Sequence, residues 1–359
     1  MKTWKIGVAG CGAIAEGVYM PQMHYNERAR VTACCDLIPG RAQMFRERFG
    51  IPEAYASMEE MLARGDIEIV MDLASIPAHY GLNMQALRAG KHLYSQKPFG
   101  LTVAQATEMI ETAEKSGLVI SASPIHMLRP EIQDAKRIID GGIIGEVRLV
   151  RAMAAHGGPE YFQFREVDPT WFYEPGAGAL YDLGVHALHM VTGLLGPANS
   201  VSCTAAVSEP ARTVRSGSHD GKRIDSSKLY DNYMMHLCFG NGCMADVLTS
   251  FCVKATTAPS LEVYGEYGSI IFTGDPKEPL KIYIDDNARK VRGWLQEFPQ
   301  VRIAPEFRQC VCVSDLIGAI EEGREPCITA GHARHVIEIM CAVEECAKNG
   351  GTRRLETVF

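Results

Sequence analysis

The apolar positions of residues 1–123 form short runs separated by helix-like stretches. The runs lie at 5–9, 31–35, 69–74, 92–95 and 119–122. The stretch 103–116 has a helical pattern that Thr102 is placed to cap and Gly117 to end. Short buried strands that alternate with helices are typical of a parallel sheet with crossover connections. The pattern therefore predicts a doubly wound α/β domain over residues 1–123.

After residue 123 the pattern changes to longer strands with hairpin signals. A strand is predicted at 147–154, and the runs 233–239 and 244–251 flank the turn Gly240-Asn241-Gly242. The other patterns are strands at 260–263 and 269–273, a long polar loop at 209–227, and helices at 131–140, 307–322 and 333–348. Residues 124–359 are thus predicted to form a second α/β domain with a large open, mostly antiparallel sheet.

Charge and composition exclude several classes of protein. The formal net charge of -7 and the absence of any Lys/Arg run longer than a pair argue against a nucleic-acid partner. No stretch approaches the roughly 20 uninterrupted apolar residues of a membrane span, and the N-terminus has no signal-peptide pattern. We therefore expect a cytoplasmic protein that acts on a small molecule.

The 12 cysteines are scattered and never form a C-x-x-C pair. This spacing suits neither a disulfide framework nor a structural zinc site, because zinc ligands usually come in closely spaced pairs. We interpret the cysteines as reduced, mostly buried thiols, and no metal is expected.

The first predicted strand runs into Gly10-Cys11-Gly12-Ala13-Ile14-Ala15, a G-x-G-x-x-A turn. Gly10 permits the tight turn, Gly12 lets backbone approach a pyrophosphate, and Ala15 lets the helix pack on the strand. The helix N-terminus adds free amides and a partial positive charge for the phosphates. The motif predicts a dinucleotide site, and the alternative is an ordinary tight turn.

Asp36 ends the second predicted strand, about 20 residues after the glycine turn. A carboxylate at this point accepts hydrogen bonds from the adenosine ribose and repels a 2′-phosphate, and Leu37-Ile38 offer no phosphate clamp. NAD is therefore predicted rather than NADP. The alternative is that Asp36 merely caps the next segment.

Lys97 follows the fourth predicted strand in Tyr94-Ser95-Gln96-Lys97-Pro98. This is the sheet edge at which doubly wound domains bind ligands. A lone lysine is usually a solvated surface residue, but the proline after it fixes the local backbone. Lys97 is therefore a candidate for a positioned cation.

A second cluster lies in the Gly-rich segment 176–184 and the helix that it starts, which runs to Leu195. Asp182, His186 and His189 lie at positions i, i+4 and i+7 on one face of that helix. A buried carboxylate-imidazole pair costs free energy unless it is used or compensated, which favours catalysis. The alternatives are a self-satisfying polar pair and a metal site built from the three.

Together, the glycine turn, Lys97-Pro98 and the D-x-x-x-H helix resemble the Gfo/Idh/MocA oxidoreductases, a family named for glucose-fructose oxidoreductase and inositol dehydrogenase. The connecting segments 89–92, 139–142 and 145–147 match as well, so the resemblance spans most of the chain. It implies a Rossmann domain followed by an α/β domain with a large open sheet, NAD as cofactor, and homo-oligomers from dimers upward.

The resemblance also implies roles for individual residues. The catalytic group is Lys97, Asp182 and His186. The cofactor contacts are at Gly10, Gly12, Ala13, Ile14, Ala15, Asp36, Ser75, His79, Gln96 and Lys97. Two departures stand out, since Gln96 replaces the family's usual Glu and His189 stands where an Asp is common.

The reaction implied is oxidation of a secondary hydroxyl of a sugar, polyol or glycoside. His186 is the preferred base because its unperturbed pKa lies near working pH, with Asp182 to orient it, while Lys97 stabilises alkoxide character. On sequence alone the lysine and histidine roles are interchangeable. The substrate is expected in the cleft between the domains, and its candidate contacts are His126, Arg129, His156, Tyr161, Phe162, Phe164, Trp171, Phe172, Tyr173, Asp182 and His186.

Our first hypothesis for the substrate is a glucoside whose C3 hydroxyl is oxidised to the 3-oxo product. One alternative is a redox-assisted glycosidase, which keeps NAD bound and uses transient C3 oxidation to eliminate an aglycone. Another is a non-catalytic NAD-binding sugar sensor. The presence of Lys97, Asp182 and His186 favours an enzyme.

Overall fold

The computed structural model describes residues 2–161, 167–295 and 309–359, and the predicted contacts Phe162 and Phe164 lie outside them. The chain forms two compact units. The first consists of the chain up to Leu128 together with a later segment that ends at Ile337. The second begins at Arg129 and takes in Glu338–Phe359.

The described part of the chain contains helices in both units. In chain order they are α1 (Met20–Met23), α2 (Arg41–Phe49), α3 (Met58–Arg64), α4 (His79–Arg88), α5 (Val103–Lys115), α6 (Pro130–Asp140), α7 (Val185–Leu195), α8 (Val311–Glu322) and α9 (Ala330–Asn349). None of these helices is both long enough and apolar enough to cross a membrane.

The first unit contains a six-stranded parallel sheet. Its strands are β1 (Trp4–Ala9), β2 (Ala29–Cys35), β3 (Glu53–Tyr55), β4 (Ile69–Asp72), β5 (His92–Ser95) and β6 (Ile120–Ala122). Their order is β3-β2-β1-β4-β5-β6, so the chain builds outward from β1 in both directions. The carboxyl ends of β1 and β4 therefore flank a topological switch point. The predicted doubly wound sheet is confirmed.

The core of the first unit includes a helix from late in the chain. Cys312, Val313 and Leu316 of α8 are fully buried in one apolar cluster with Ile6 and Val31 of the sheet. The sequence prediction had assigned this helix to the domain after residue 123. The difference arises because the sequence pattern of an amphipathic helix shows that the helix has an apolar face but not which sheet that face covers.

The second unit contains a nine-stranded sheet and a separate hairpin. The strands are β7 (Val147–Ala155), β8 (Ser200–Ala206), β9 (Ala211–Thr213), β10 (Arg223–Asp225), β11 (Asn232–Cys238), β12 (Met244–Ser250), β13 (Leu261–Gly265), β14 (Gly268–Phe272), β15 (Leu280–Asp286), β16 (Val291–Trp294) and β17 (Thr352–Arg354). The sheet order is β16-β15-β14-β13-β7-β12-β11-β8-β17, and β7 with β12 is its parallel pair. The predicted large, mostly antiparallel sheet is confirmed.

The polar stretch 209–227 is not simply a loop, so that prediction was wrong. It contains the hairpin of β9 and β10, with Arg212 pairing Ile224. Arg212, Val214 and Ile224 are buried, although the hairpin is otherwise polar. The alternation that marks a strand was hidden because one of its inward positions is an arginine.

Two helices begin with a wider π-helical turn, at Ala15–Tyr19 before α1 and at Leu180–Gly184 before α7. The sequence predicted ordinary helices at both places. A single π turn inside a helix is rare and often marks a functional site. Both turns lie within the segments that the sequence singled out for chemistry.

Candidate active site

The glycine turn leaves room for a ligand on one side and is tightly packed on the other. Gly10 has φ +90°, and a Cβ there would lie 2.6 Å from the Ala74 Cα, so only glycine fits. A Cβ on Gly12 would meet nothing within 4 Å. The Gly12 backbone thus faces open space at a helix start, the arrangement that binds a pyrophosphate. These residues fit a dinucleotide.

Asp36 is held at the end of β2 by backbone amides. Its Oδ2 accepts from the Cys11 amide at 2.9 Å and its Oδ1 accepts from the Ile38 amide at 2.8 Å. The Arg41 Nη1 lies 3.7 Å from the same carboxylate. Leu37 and Ile38 carry no cation, but the first residue of α2 brings a guanidinium to Asp36, which the sequence prediction missed.

The other predicted cofactor residues also follow the carboxyl ends of strands in this sheet. Ser75 comes after β4 and is exposed, whereas Lys97 comes after β5 and is half-buried. The Lys97-Pro98 peptide bond is cis. Parallel strands bring their carboxyl ends to one edge, so the glycine turn, Asp36, Ser75 and Lys97 share that edge.

His79 was predicted beside the cofactor, and it is buried. Its Nδ1 lies 2.7 Å from Oδ2 of Asp72, a fully buried carboxylate at the end of β4. Oδ1 of Asp72 accepts from the Ala74 amide at 3.0 Å. The pair therefore fixes the loop that packs against Gly10. Sequence reasoning missed Asp72, although an acidic residue at the end of an apolar strand was the available signal.

Gln96 connects the dinucleotide turn to the lysine segment. Its Nε2 donates to the Tyr19 hydroxyl at 2.9 Å, and its Oε1 accepts from the Lys97 amide at 2.7 Å. Tyr19 ends the π turn after the glycine motif, and its hydroxyl lies 2.7 Å from that of Tyr94. Burial raises the pKa of the Tyr19 phenol, which stays neutral. Both ends of the Gln96 amide are thus engaged by protein.

In the second unit, Asp182 and His186 lie on the helix start that packs against β7 and β12. The Thr249 hydroxyl is 2.9 Å from the Ala154 carbonyl and 3.1 Å from the Ala179 carbonyl, which ties both strands to the π turn. Asp182 and His186 are half-buried, while His189 is only 3% exposed. The helix therefore presents the first two residues at the carboxyl ends of these strands and encloses the third.

Two predicted substrate contacts lie close to that edge. His156 follows β7, and its Nδ1 accepts from the Gly158 amide at 3.0 Å, so the neutral imidazole carries its proton on Nε2. Its ring stacks on Phe251 at 5.1 Å. The half-buried Tyr161 packs its ring against Gly157, where a Cβ would lie 2.9 Å from it.

The remaining predicted contacts are dispersed. Trp171 is 45% exposed and stacks on the buried Phe172 at 3.7 Å. His126 is half-buried in the 3-10 turn Ile125–Leu128 of the first unit. Arg129, the first residue of the second unit, donates to Glu131 at 2.7 Å. Of this group, Trp171 presents the largest exposed aromatic surface.

A buried ionic cluster supports the edge where His156 lies, and sequence reasoning missed it. The Arg212 Nη1 donates to Glu160 at 2.8 Å and to the Phe251 carbonyl at 3.0 Å, while Nη2 donates to Asp231 at 2.9 Å. Glu160 also accepts from the buried Tyr173 hydroxyl. One arginine thus joins the hairpin to the segments after β7 and β12. Tyr173, predicted as a substrate contact, has its hydroxyl engaged here.

Metal binding finds no support among the described residues, where no three His, Cys, Asp or Glu side chains are grouped as metal ligands would be. The alternative of a metal site at Asp182, His186 and His189 therefore gains nothing from the structure.

Comparison with known proteins matches both parts of the chain. Residues 4–123 match the family model described as the oxidoreductase family with an NAD-binding Rossmann fold, and residues 132–271 match the GFO/IDH/MocA C-terminal domain. D-glucoside 3-dehydrogenase of Escherichia coli (strain K12) is 24% identical over 355 residues, covering 97% of this chain and 96% of that protein.

Two solved structures share the fold. Levoglucosan dehydrogenase in complex with NADH has a TM-score of 0.82 at 19% identity, covering 99% of this chain and 100% of that one. Aldose-aldose oxidoreductase from Caulobacter crescentus, in complex with glycerol, has a TM-score of 0.79 at 21% identity, with the same coverage.

Proposed function

The chain belongs to the Gfo/Idh/MocA family of NAD-binding oxidoreductases, and we propose that it oxidises the C3 hydroxyl of a glucoside to the 3-oxo product. The observation that carries this proposal is the similarity to D-glucoside 3-dehydrogenase over nearly the whole length of both chains. Lys97, Asp182 and His186 are all present, which favours an enzyme over a sugar sensor.

The glycine turn and Asp36 would hold NAD by its pyrophosphate and adenosine ribose. Bound NAD supplies the hydride acceptor for the carbinol carbon. We propose that His186 removes the hydroxyl proton, that Asp182 orients the imidazole and stabilises its cation, and that the Lys97 ammonium stabilises negative charge on the same oxygen. With the roles of Lys97 and His186 exchanged, the proton goes to the lysine instead.

The test of this function is turnover by purified protein with NAD and a panel of polyols, free sugars and O- and C-glycosides. Reduced nicotinamide is followed by absorbance, and the oxidised position is identified by NMR. We expect NADH to accumulate with a glucoside, with a 3-oxo product. Product oxidised elsewhere would reject the C3 assignment, and aglycone release without net NADH would favour the redox-assisted glycosidase.

The residue roles are tested by Lys97→Met and His186→Asn, each expected to lower kcat at least 10²-fold, the scale of acid-base help. NAD affinity should stay close to that of wild type. The matched controls are Lys115→Met and His24→Asn, which change exposed residues outside the site. Wild-type rates in either site variant would contradict its role.

We propose further that the protein is a homo-oligomer and works in the cytoplasm. The outer face of the nine-stranded sheet exposes Met234 to 58% and Met244 to 56%, beside a groove lined in part by Arg151 and Asp246. Apolar exposure on this scale suits packing of a second copy. Light scattering tests this by measuring the molar mass in solution, which Met234→Asp should lower. The 12 cysteines are all free thiols, as suits a reducing compartment.

A further inference from the structure

Two cations lie over the Tyr161 ring in the second unit. The Arg215 guanidinium carbon is 5.0 Å from the ring centroid, and the Lys254 Nζ is 5.8 Å from it. Arg215 comes from the hairpin connection between β9 and β10, and Lys254 from the segment after β12. Three segments distant in sequence thus bring two positive charges to one aromatic ring.

This arrangement is built by close packing rather than by chance contact at the surface. Gly157 lets both Tyr161 and Lys254 approach, since a Cβ there would lie 2.9 Å from the tyrosine ring and 3.2 Å from the Lys254 Cγ. The Arg215 amide donates to the Glu160 carbonyl at 3.2 Å. The Arg212 cluster anchors the same hairpin, so the backbone at Arg215 is held by buried contacts.

Neither cation has a carboxylate partner within the described segments of the chain. Glu160, which precedes Tyr161 in the sequence, binds Arg212 and the Tyr173 hydroxyl instead. Neighbouring cations differ in this respect, because Lys222 pairs with Asp168 and Lys228 pairs with Glu174. Two like charges over one ring repel each other, and an anion bound to both would offset that repulsion.

The two cations lie toward the same end of strands β7 and β12 as the turn that carries Asp182. Tyr161 is five residues after His156, and His156 directly follows β7. The Thr249 hydroxyl ties that end of β7 to the turn that carries Asp182. Lys254 follows β12, the strand parallel to β7, beyond the same edge. The segments that carry His186 and the two cations therefore meet the sheet at the same edge.

We infer that the substrate carries an anionic group, a carboxylate or a phosphate, that Arg215 and Lys254 bind beside Tyr161. The inference rests on the proposed function and makes it narrower: the substrate is an acidic glycoside. The sugar face packs on apolar and aromatic surface, and the charged substituent accepts hydrogen bonds from the guanidinium and the ammonium.

The test compares three substrates that share one ring: methyl β-D-glucopyranoside, its uronic acid and its 6-phosphate. With NAD in excess, we expect kcat/KM for one of the charged compounds to exceed that for the neutral one on the order of tenfold or more, the scale of a charge-assisted hydrogen bond. The better of the two charged compounds identifies carboxylate or phosphate as the group bound.

The double variant Arg215→Gln/Lys254→Gln should bring the charged-to-neutral ratio close to one. Arg223→Gln is the matched control, because Arg223 is an exposed cation of the same hairpin that does not lie over Tyr161, and it should keep the wild-type ratio. A wild-type ratio at or below one, or a ratio that the double variant leaves intact, overturns the inference.

Calorimetry separates this inference from the proposed reaction. If none of the three compounds is oxidised, the proposed function fails, and binding of the uronic acid and the 6-phosphate to NAD-loaded protein still tests the anion site. Tighter binding of an acidic compound than of the neutral glucoside, lost in the double variant, supports the site. Equal binding of all three rejects it.

Discussion

The guanidinium of Arg212 donates from Nη2 to Oδ2 of Asp231 over 2.9 Å, and both side chains are almost fully buried. Its other terminal nitrogen binds Glu160, so one cation serves two buried carboxylates. Removing one partner of a buried ion pair typically costs ~3–5 kcal/mol, because the other charge stays buried. We expect Arg212→Met to lower the free energy of unfolding by about that amount in urea titrations at neutral pH.

The control for this variant is Lys222→Met, which breaks a surface pair with Asp168. Exposed pairs contribute at most about 1 kcal/mol, so its loss should be much smaller. Equal, small losses in both variants would mean that the buried cluster does not stabilise the unit.

The Arg212 effect should also depend on pH. Burial works to raise the pKa of Asp231, but the backbone amides of Ser208 and Glu209 and the Arg212 guanidinium outweigh it, so the pKa is lowered from 3.8. A lowered folded-state pKa stabilises the fold above the ordinary pKa, and that stability is lost as the pH falls through the folded value. The difference in unfolding free energy between wild type and Arg212→Met should therefore become smaller in acid.

Cofactor choice should be altered at Asp36. Asp36→Ala removes the carboxylate that repels a 2′-phosphate and leaves Arg41, now 3.7 Å from that carboxylate, free to bind one. We expect kcat/KM with NADP to rise on the order of tenfold, equivalent to one charge-assisted hydrogen bond, and that with NAD to fall. Adding Arg41→Ala should abolish the gain with NADP, and a gain that survives it would rule out the Arg41 clamp.

The Gln96 side chain should position Lys97 by accepting from the Lys97 backbone amide. Gln96→Leu removes an acceptor of the Lys97 amide and one of the donors to the buried Tyr19 hydroxyl. We expect kcat to fall on the order of tenfold or more while the KM for NAD changes little. Gln85→Leu, at an exposed position of α4, is the control. Equal losses in kcat and NAD affinity would point to general disruption of the sheet edge.

A buried histidine should make the fold sensitive to mild acid. Burial, with a contribution from His335, lowers the pKa of His332 to about 3 from the ordinary 6.5. Between those two pKa values the unfolded chain binds a proton that the folded protein does not bind. The free energy of unfolding therefore falls by up to ~1.4 kcal/mol for each pH unit of acidification. His332→Gln should flatten the decline in unfolding free energy from about pH 6.5 to 5. His24→Gln, at an exposed site, should not.

The sequence predicted the parts of the fold that follow from periodicity and from residues with special backbone geometry. The apolar runs marked β1, β2, β4, β5 and β6, and the glycine motif marked the turn at which Gly10 adopts φ +90°. These features are local, since each depends on residues within one short segment.

The parts that escaped prediction depend on partners far apart in sequence. The role of Tyr19 comes from Gln96, which lies 77 positions away along the chain. Arg212 counted as a polar loop residue because its two carboxylate partners lie 52 and 19 positions away. The π turns at 15–19 and 180–184 were invisible because one extra residue per turn hardly changes a helical pattern.

The position of α8 near the end of the chain affects how the first unit folds during synthesis on the ribosome. The sheet of the first unit emerges early, but the residues of α8 that complete its core, such as Val313 and Leu316, follow only after the long insertion that ends at Pro305. At translation rates of roughly 5–20 residues per second, the nascent sheet waits about ten seconds or more with an apolar surface uncovered. Chaperone engagement of the growing polypeptide is expected during that interval.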